Sequence, residues 1–143
     1  MQLLSGCSAC LTSALRKNRK AITKTHAERI EVKAPNKISS SINFDEAARS
    51  KYPEHARWDY LLQLTQASKP SLTIAVEFHS IEKTRILKKK TDTELILLAL
   101  CDSKPKIDRW ILVPEGSTDG ASRITRQKLA ERGVIVASRT LFL

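Results

Sequence analysis

The chain has 143 residues, 41% of them hydrophobic, with 25 lysines and arginines against 15 aspartates and glutamates. One domain of this size hides roughly 68–70% of the surface its unfolded chain exposes, so a core needs neither disulfide staples nor structural metal. The longest apolar run, Leu95 to Cys101, has seven residues; a spanning helix needs about 20, so the sequence predicts a soluble chain with no transmembrane segment.

The formal charge of +10 is unevenly placed, for residues 1–41 hold eight basic and two acidic side chains, a net +6. Such an imbalance favours an anionic partner, nucleic acid first and an acidic membrane surface second; solubility is the plainer alternative. Cys7, Cys10 and Cys101 make an odd count with no even framework, which predicts a reducing, cytoplasmic setting. Cys7-Ser-Ala-Cys10 is a lone C-x-x-C. Neither a second pair of zinc ligands nor a preceding strand accompanies it, so it is assigned no role.

In chain order, residues 1–41 show no sustained period and end in a turn-rich stretch from Ala34-Pro35-Asn36 to Ser39-Ser40-Ser41. They read as a basic arm or leading helix followed by a linker. Residues 42–143 read as one α/β domain. Asn43 is a cap for a helix from Phe44 to about Lys51, with Asp45 and Glu46 in its first turn and Pro53 as its stop. Arg57 to Leu64 alternates, with Trp58, Tyr60 and Leu62 on one side, and reads as a strand. After the Ser68-Lys-Pro-Ser71 turn comes the clearest strand, Leu72 to Ile81. Its Leu72, Ile74, Val76 and Phe78 form an apolar face expected to lie beneath helices. Thr91-Asp-Thr-Glu94 has the form of a capping box before a buried helix at Leu95 to Leu100, with an earlier start near Thr84 as the alternative. Arg109 to Val113 is a short strand closed by Pro114. Ser122 caps a helix to Arg132, Gly133 ends it, and a strand follows from Val134 to Ala137. Strand, helix, strand at this spacing is a parallel crossover, so the fold class is an α/β sandwich around a mixed central sheet.

The chemistry concentrates on Asp59, Glu77 and His79. Residues i and i+2 of a strand share a face, so Glu77 and His79 point the same way, and a hairpin partner strand brings Asp59 beside them. Two carboxylates at a strand pair suit a hard divalent cation, which lowers the pKa of a bound water and stabilises charge on a phosphate under attack. A charged face protecting an edge strand is the ordinary alternative.

This order of elements and the Asp…Glu-x-His pattern resemble the PD-(D/E)XK, or restriction-endonuclease-like, superfamily over about residues 42–143, in particular a small Glu-x-His variant of it. The resemblance implies a three-layer sandwich and metal-dependent cleavage of nucleic-acid phosphodiesters. Asp59 and Glu77 would hold Mg²⁺ or Mn²⁺ with the Phe78 carbonyl, and His79 would stand where the family has lysine. Glu46 is the candidate additional acid. A neutral imidazole lacks the fixed charge of an ammonium; Lys88, Lys89 or Lys90, with Lys83 also near, would supply it from the following helix. Nucleic-acid contacts are expected from Arg16, Lys17, Arg19, Lys20, Lys83, Lys88, Lys89 and Lys90. The sequence therefore predicts a nucleic-acid-binding protein with a metal-dependent nuclease site. The alternative is a catalytically inactive nuclease-fold module that binds nucleic acid or a partner protein. A membrane-surface role would need an amphipathic arm, for which Leu11, Leu15 and Ile22 give only a loose pattern.

Overall fold

The computed structural model describes residues 3–115 and 123–143. In chain order the elements are α1 (Ala9–Thr12), β1 (Arg16–Lys17), α2 (Lys24–Ala27), β2 (Ile30–Glu31), β3 (Lys37–Asn43), α3 (Phe44–Arg49) and β4 (Tyr60–Thr65). There follow β5 (Leu72–His79), α4 (Lys83–Leu100), β6 (Arg109–Pro114), α5 (Arg123–Glu131), β7 (Val134–Val136) and β8 (Leu141–Phe142). A mixed six-stranded sheet runs β1-β3-β4-β5-β6-β7, and β2 pairs with β8 in a separate parallel ribbon. β4 runs antiparallel to both of its neighbours, β3 and β5. β5, β6 and β7 are parallel, joined by the α4 and α5 crossovers. No helix among the described residues is long and apolar enough to cross a membrane.

β5 lies between β4 and β6 in the interior of the sheet, as its uninterrupted alternation requires. Its Ile74, Val76 and Phe78 face is buried, but the coverage differs from expectation. The apolar residues of α3, α4 and α5 (Phe44, Ala48, Ile86, Ile96, Leu97, Leu129) cluster with Leu61, Ala75 and Leu112 on the opposite face. Ile74, Val76 and Phe78 instead pack against Ile22, Ile30 and Leu141, from the leading residues and the β2–β8 ribbon. The small Ala75 lets helices approach the face that reads as polar.

The stretch expected to be a linker is β3, so a boundary at 41/42 falls inside a strand. Its pattern is disguised by a bulge between Ile38 and Ser40, which shifts the register by one residue. Ile38 and Ile42 are four residues apart and would share a face in a regular strand. The extra residue sends Ile38 to the Val76 side and Ile42 to the helix side. Leu3, Leu4 and Leu11 also join the helix-side core, so residues 1–41 are packed into the fold rather than held apart as an arm.

The starts of two other elements moved. β4 begins at Tyr60, and Trp58, fully buried, belongs to the helix-side cluster while Tyr60 and Leu62 belong to the other. α4 starts at Lys83, so the apparent capping box lies in its interior. Asn43 caps α3 as read, its Oδ1 accepting from the Glu46 N–H at 3.1 Å. The expected Ser122 cap lies outside the described residues. Cys7 and Cys101 are joined in a disulfide, leaving Cys10 as the free thiol, in place of three unpaired cysteines.

Candidate functional site

β4 and β5 are in register from Leu64↔Leu72 to Tyr60↔Val76. One step further the backbones exchange their ladder bonds for side-chain ones. The Asp59 N–H donates to Glu77 Oε1 at 2.9 Å, and the Phe78 N–H donates to Asp59 Oδ2 at 2.9 Å. The other Glu77 oxygen, Oε2, accepts from the Lys89 ammonium of α4. Glu77 is wholly buried and Lys89 mostly so, at 18% side-chain exposure, whereas Asp59 is half-buried. The structure thus brings together Asp59, Glu77 and Lys89.

The segment leading into Asp59 is held by groups that sequence reasoning did not single out. Asp92 Oδ2 accepts from the Ala56 N–H and Thr93 Oγ1 from the Trp58 N–H, each at 2.9 Å. Arg57 donates to the carbonyls of Tyr52 and His55 and to the Asp45 carboxylate. The Asp45 N–H donates to the Asp59 carbonyl at 3.3 Å. A polar pair inside an otherwise apolar helix stripe, Asp92-Thr93, was the available signal.

The other predicted residues are placed elsewhere. His79 is half-buried, and its Nδ1–H donates to the Ser80 carbonyl at 2.8 Å; it bonds neither carboxylate. Lys88 pairs with Asp92 at 2.6 Å. Lys90 pairs with Glu94 at 2.9 Å and lies over the Trp110 ring. Each of those pairings is i,i+4 along α4, the spacing at which helix side chains meet. Lys89 has Thr93 at i+4, no acid, so it is the lysine left to reach across to the sheet. Glu46 is exposed and bonded to Asn43, in a cleft of about 410 Å³ that also presents Arg16 and Lys20. Arg19 donates to the carbonyls of Ala27 and Ile30 and so holds the chain rather than facing solvent. Lys17, Lys20 and Lys83 are exposed without an ion pair among the described residues, and Arg16 bonds only the carbonyls of Ser13 and Leu15.

A further imidazole flanks the site from the opposite face. The His26 ring stacks on Phe78 at 4.1 Å, with Nδ1 2.7 Å from the Tyr60 hydroxyl and Nε2 3.4 Å from Glu115. Nothing local in the sequence marks this partner set, because its members are 34 to 89 positions from His26.

Burial pushes the Glu77 carboxyl up to about 8, and the neighbouring Asp59 charge adds to the rise; the Lys89 ammonium and the Asp59 N–H oppose it. Burial also raises Asp59, against the Phe78 N–H and the charges of Lys89 and His26. An acid held above its ordinary value, near 4.5 for Glu77, favours the fold while protonated. That contribution is complete below the unfolded value and is lost as pH rises towards the folded one. The melting temperature is therefore expected to fall between pH 5 and about 8 more steeply in the wild type than in Glu77→Gln. Parallel thermal scans of the two proteins across that range check the sign; equal slopes would remove Glu77 as the titrating group.

No family model, characterised protein or solved structure matches the chain. The site has therefore to be read from its own chemistry. Its donor set is hard oxygen: two adjacent carboxylates, the kind of partial cage with which Mg²⁺ is bound while keeping several waters. No group of three or more His, Cys, Asp or Glu poised for a metal occurs among the described residues. The set fits a two-carboxylate site completed by water and substrate oxygens.

Proposed function

We propose that the chain is a nucleic-acid-binding protein whose Asp59–Glu77–Lys89 cluster is a metal-dependent phosphodiesterase site on a restriction-endonuclease-like, three-layer fold. The observation that carries the reading is the convergence of two carboxylates from adjacent strands with a lysine from the following helix, where the resemblance asks for them. Asp59 and Glu77, with the Phe78 carbonyl, would hold Mg²⁺ or Mn²⁺. When bound, such an ion supplies Lewis-acid stabilisation of the attacked phosphate and a more acidic water. Glu77 must give up its proton to serve as a ligand, so Lys89 has two roles. It opposes the burial-driven protonation of Glu77 and would offer its ammonium to a phosphate oxygen. His79, whose Nδ1–H is held by the Ser80 carbonyl, has Nε2 as the ring nitrogen that would take a proton from water.

A second reading, an inactive module of the same fold that binds nucleic acid or a partner protein, is favoured by one specific contact. Lys89 already saturates one oxygen of the fully buried Glu77. Incubating the protein with single- and double-stranded DNA and RNA over a range of Mg²⁺ and Mn²⁺ separates the two. Metal-dependent cleavage supports the first. Binding without cleavage supports the second, and a stable polypeptide complex with no nucleic-acid affinity supports its protein-partner form.

For the phosphate contacts we propose Arg16, Lys17, Lys20 and Lys83. Deleting residues 1–33 would remove Leu3, Leu4, Leu11, Ile22 and Ile30 from the two cores, so charge removal is the sounder test. Each neutralised phosphate contributes about 0.7–0.9 to the slope of log affinity against log salt. Arg16→Gln/Lys17→Gln/Lys20→Gln is therefore expected to flatten the slope by about 2–3. A salt titration of binding that gives parallel lines for wild type and variant would make these cations solubility groups only. A cytoplasmic setting belongs to the same proposal and rests on the odd cysteine count; the Cys7–Cys101 bond weighs the other way.

A further inference from the structure

The C-x-x-C given no role from sequence holds one bonded and one free sulfur. Cys7 and Cys101 face each other across a single antiparallel bridge, flanked by the Ser8 N–H to Leu100 carbonyl bond at 2.7 Å and the Asp102 N–H to Gly6 carbonyl bond at 2.9 Å. Those backbone bonds keep the two residues opposite each other whether or not the sulfurs are joined. Cys10 lies three residues beyond Cys7, and the turn between them is closed by the Leu11 and Thr12 N–H groups donating to the Ser8 carbonyl. Cys7 and Cys10 are both half-buried and pack on the same apolar cluster, which also contains Cys101. The Cys10 Sγ is 3.1 Å from the Ser8 hydroxyl, a donor suited to a thiolate. The three cysteines thus border one apolar cluster, with the free thiol at C-x-x-C spacing from the bonded Cys7, the spacing of dithiol–disulfide exchange motifs.

We propose that Cys7, Cys10 and Cys101 form a thiol–disulfide exchange centre in which Cys10 attacks the Cys7 sulfur, passing the bond from Cys7–Cys101 to Cys7–Cys10. The Cys10 thiol gives its proton to water. Its thiolate forms a bond to Cys7 Sγ as the Cys7–Cys101 bond breaks, and the Cys101 thiolate leaves with the electron pair and takes up a proton. One disulfide is exchanged for another, with no net oxidation or reduction. The step removes the covalent link between the C-terminal end of α4 and the leading segment, which the two backbone bonds still hold together, and, from the Cys7–Cys10 form, a small thiol such as glutathione can then reduce the chain.

The assay uses the intact oxidised chain, held without added thiol at a series of pH values from 6 to 9. The distribution is frozen by N-ethylmaleimide in acidic denaturant, where thiolate is scarce. Trypsin releases Cys7 and Cys10 together on residues 1–16 and Cys101 on residues 91–106, since Lys104 precedes a proline. The expected result is label on Cys101 accompanied by a 1–16 peptide two hydrogens lighter than its reduced form, rising with pH. In Cys10→Ser that label on Cys101 is lost altogether. Label confined to Cys10 at every pH overturns the proposal. So does label on Cys7 with the two peptides cross-linked, which would make Cys101 the attacked sulfur. Failure to find a Cys7–Cys101 link in the oxidised chain overturns it as well.

Discussion

Under the proposed phosphodiesterase function, Glu77→Gln is expected to abolish metal-dependent cleavage of nucleic acid while the protein still folds. Loss of an outer-shell partner alone typically costs a metal site 10–100-fold, so losing a direct ligand is expected to cost more than about a hundredfold. The fold should survive because the wild-type carboxyl, with its pKa near 8, carries a proton through most of the neutral range and resembles the amide in shape and charge. The amide oxygen can still accept from the Asp59 N–H. Lys89 loses its acceptor, a cost of about 1–3 kcal/mol if it stays buried, less if it turns to water. Cleavage assays beside a thermal scan of the same preparation check both halves. Undiminished metal-dependent cleavage by a folded Glu77→Gln protein would remove the phosphodiesterase assignment from this cluster.

Val76→Asp is expected to prevent folding. Val76 is fully buried on β5 among Ile74, Phe78 and Tyr60, and the cations of this face are already engaged: Arg29 lies over the Phe78 ring and donates to the Pro114 and Arg139 carbonyls, while His26 stacks on Phe78 and bonds Tyr60. An unpaired charge there belongs to the class of changes costing more than about 4 kcal/mol, against a whole-domain stability of roughly 5–15 kcal/mol. Leu72→Asp, on the same strand face but half-exposed at the strand's start, should be tolerated with a modest loss. Soluble expression and circular dichroism of the two variants check the contrast. A cooperative melt of Val76→Asp near that of the wild type would contradict the burial assigned to β5.

The parts legible in the sequence are those whose local pattern is undisturbed. β5 alternates without a break, α3 has its asparagine cap, and the strands β6 and β7 are short apolar runs bounded by Pro114 and Gly133. Asp59 and Glu77 could be paired because a hairpin register needs only the two strands. β3 was hidden by its bulge, which breaks the period that reveals a strand. The covering of the Val76 face was hidden for another reason: its pieces come from both ends of the chain, and no window of sequence contains them. His79 could be placed beside Glu77 by alternation, yet its ring bonds the adjacent Ser80 carbonyl, a local choice that alternation does not determine. Lys89 stood among three lysines. The acids at Asp92 and Glu94, claiming its two neighbours, distinguish it once α4 is known to begin at Lys83.

The β2–β8 ribbon has a consequence for the order in which the protein is made. Ile30 pairs with Leu141, 111 positions later in the chain, and the Leu141 N–H donates to the Arg29 carbonyl as the Leu143 N–H does to that of Glu31. On a ribosome, β3, β4 and β5 are synthesised before Leu141 is translated. Until then Ile74, Val76 and Phe78 lack their Leu141 contact, and the nascent chain presents part of an apolar face to whatever surrounds it. Closing so distant a pairing is a slow step by its topology, and an open face in that interval is one on which chaperones act.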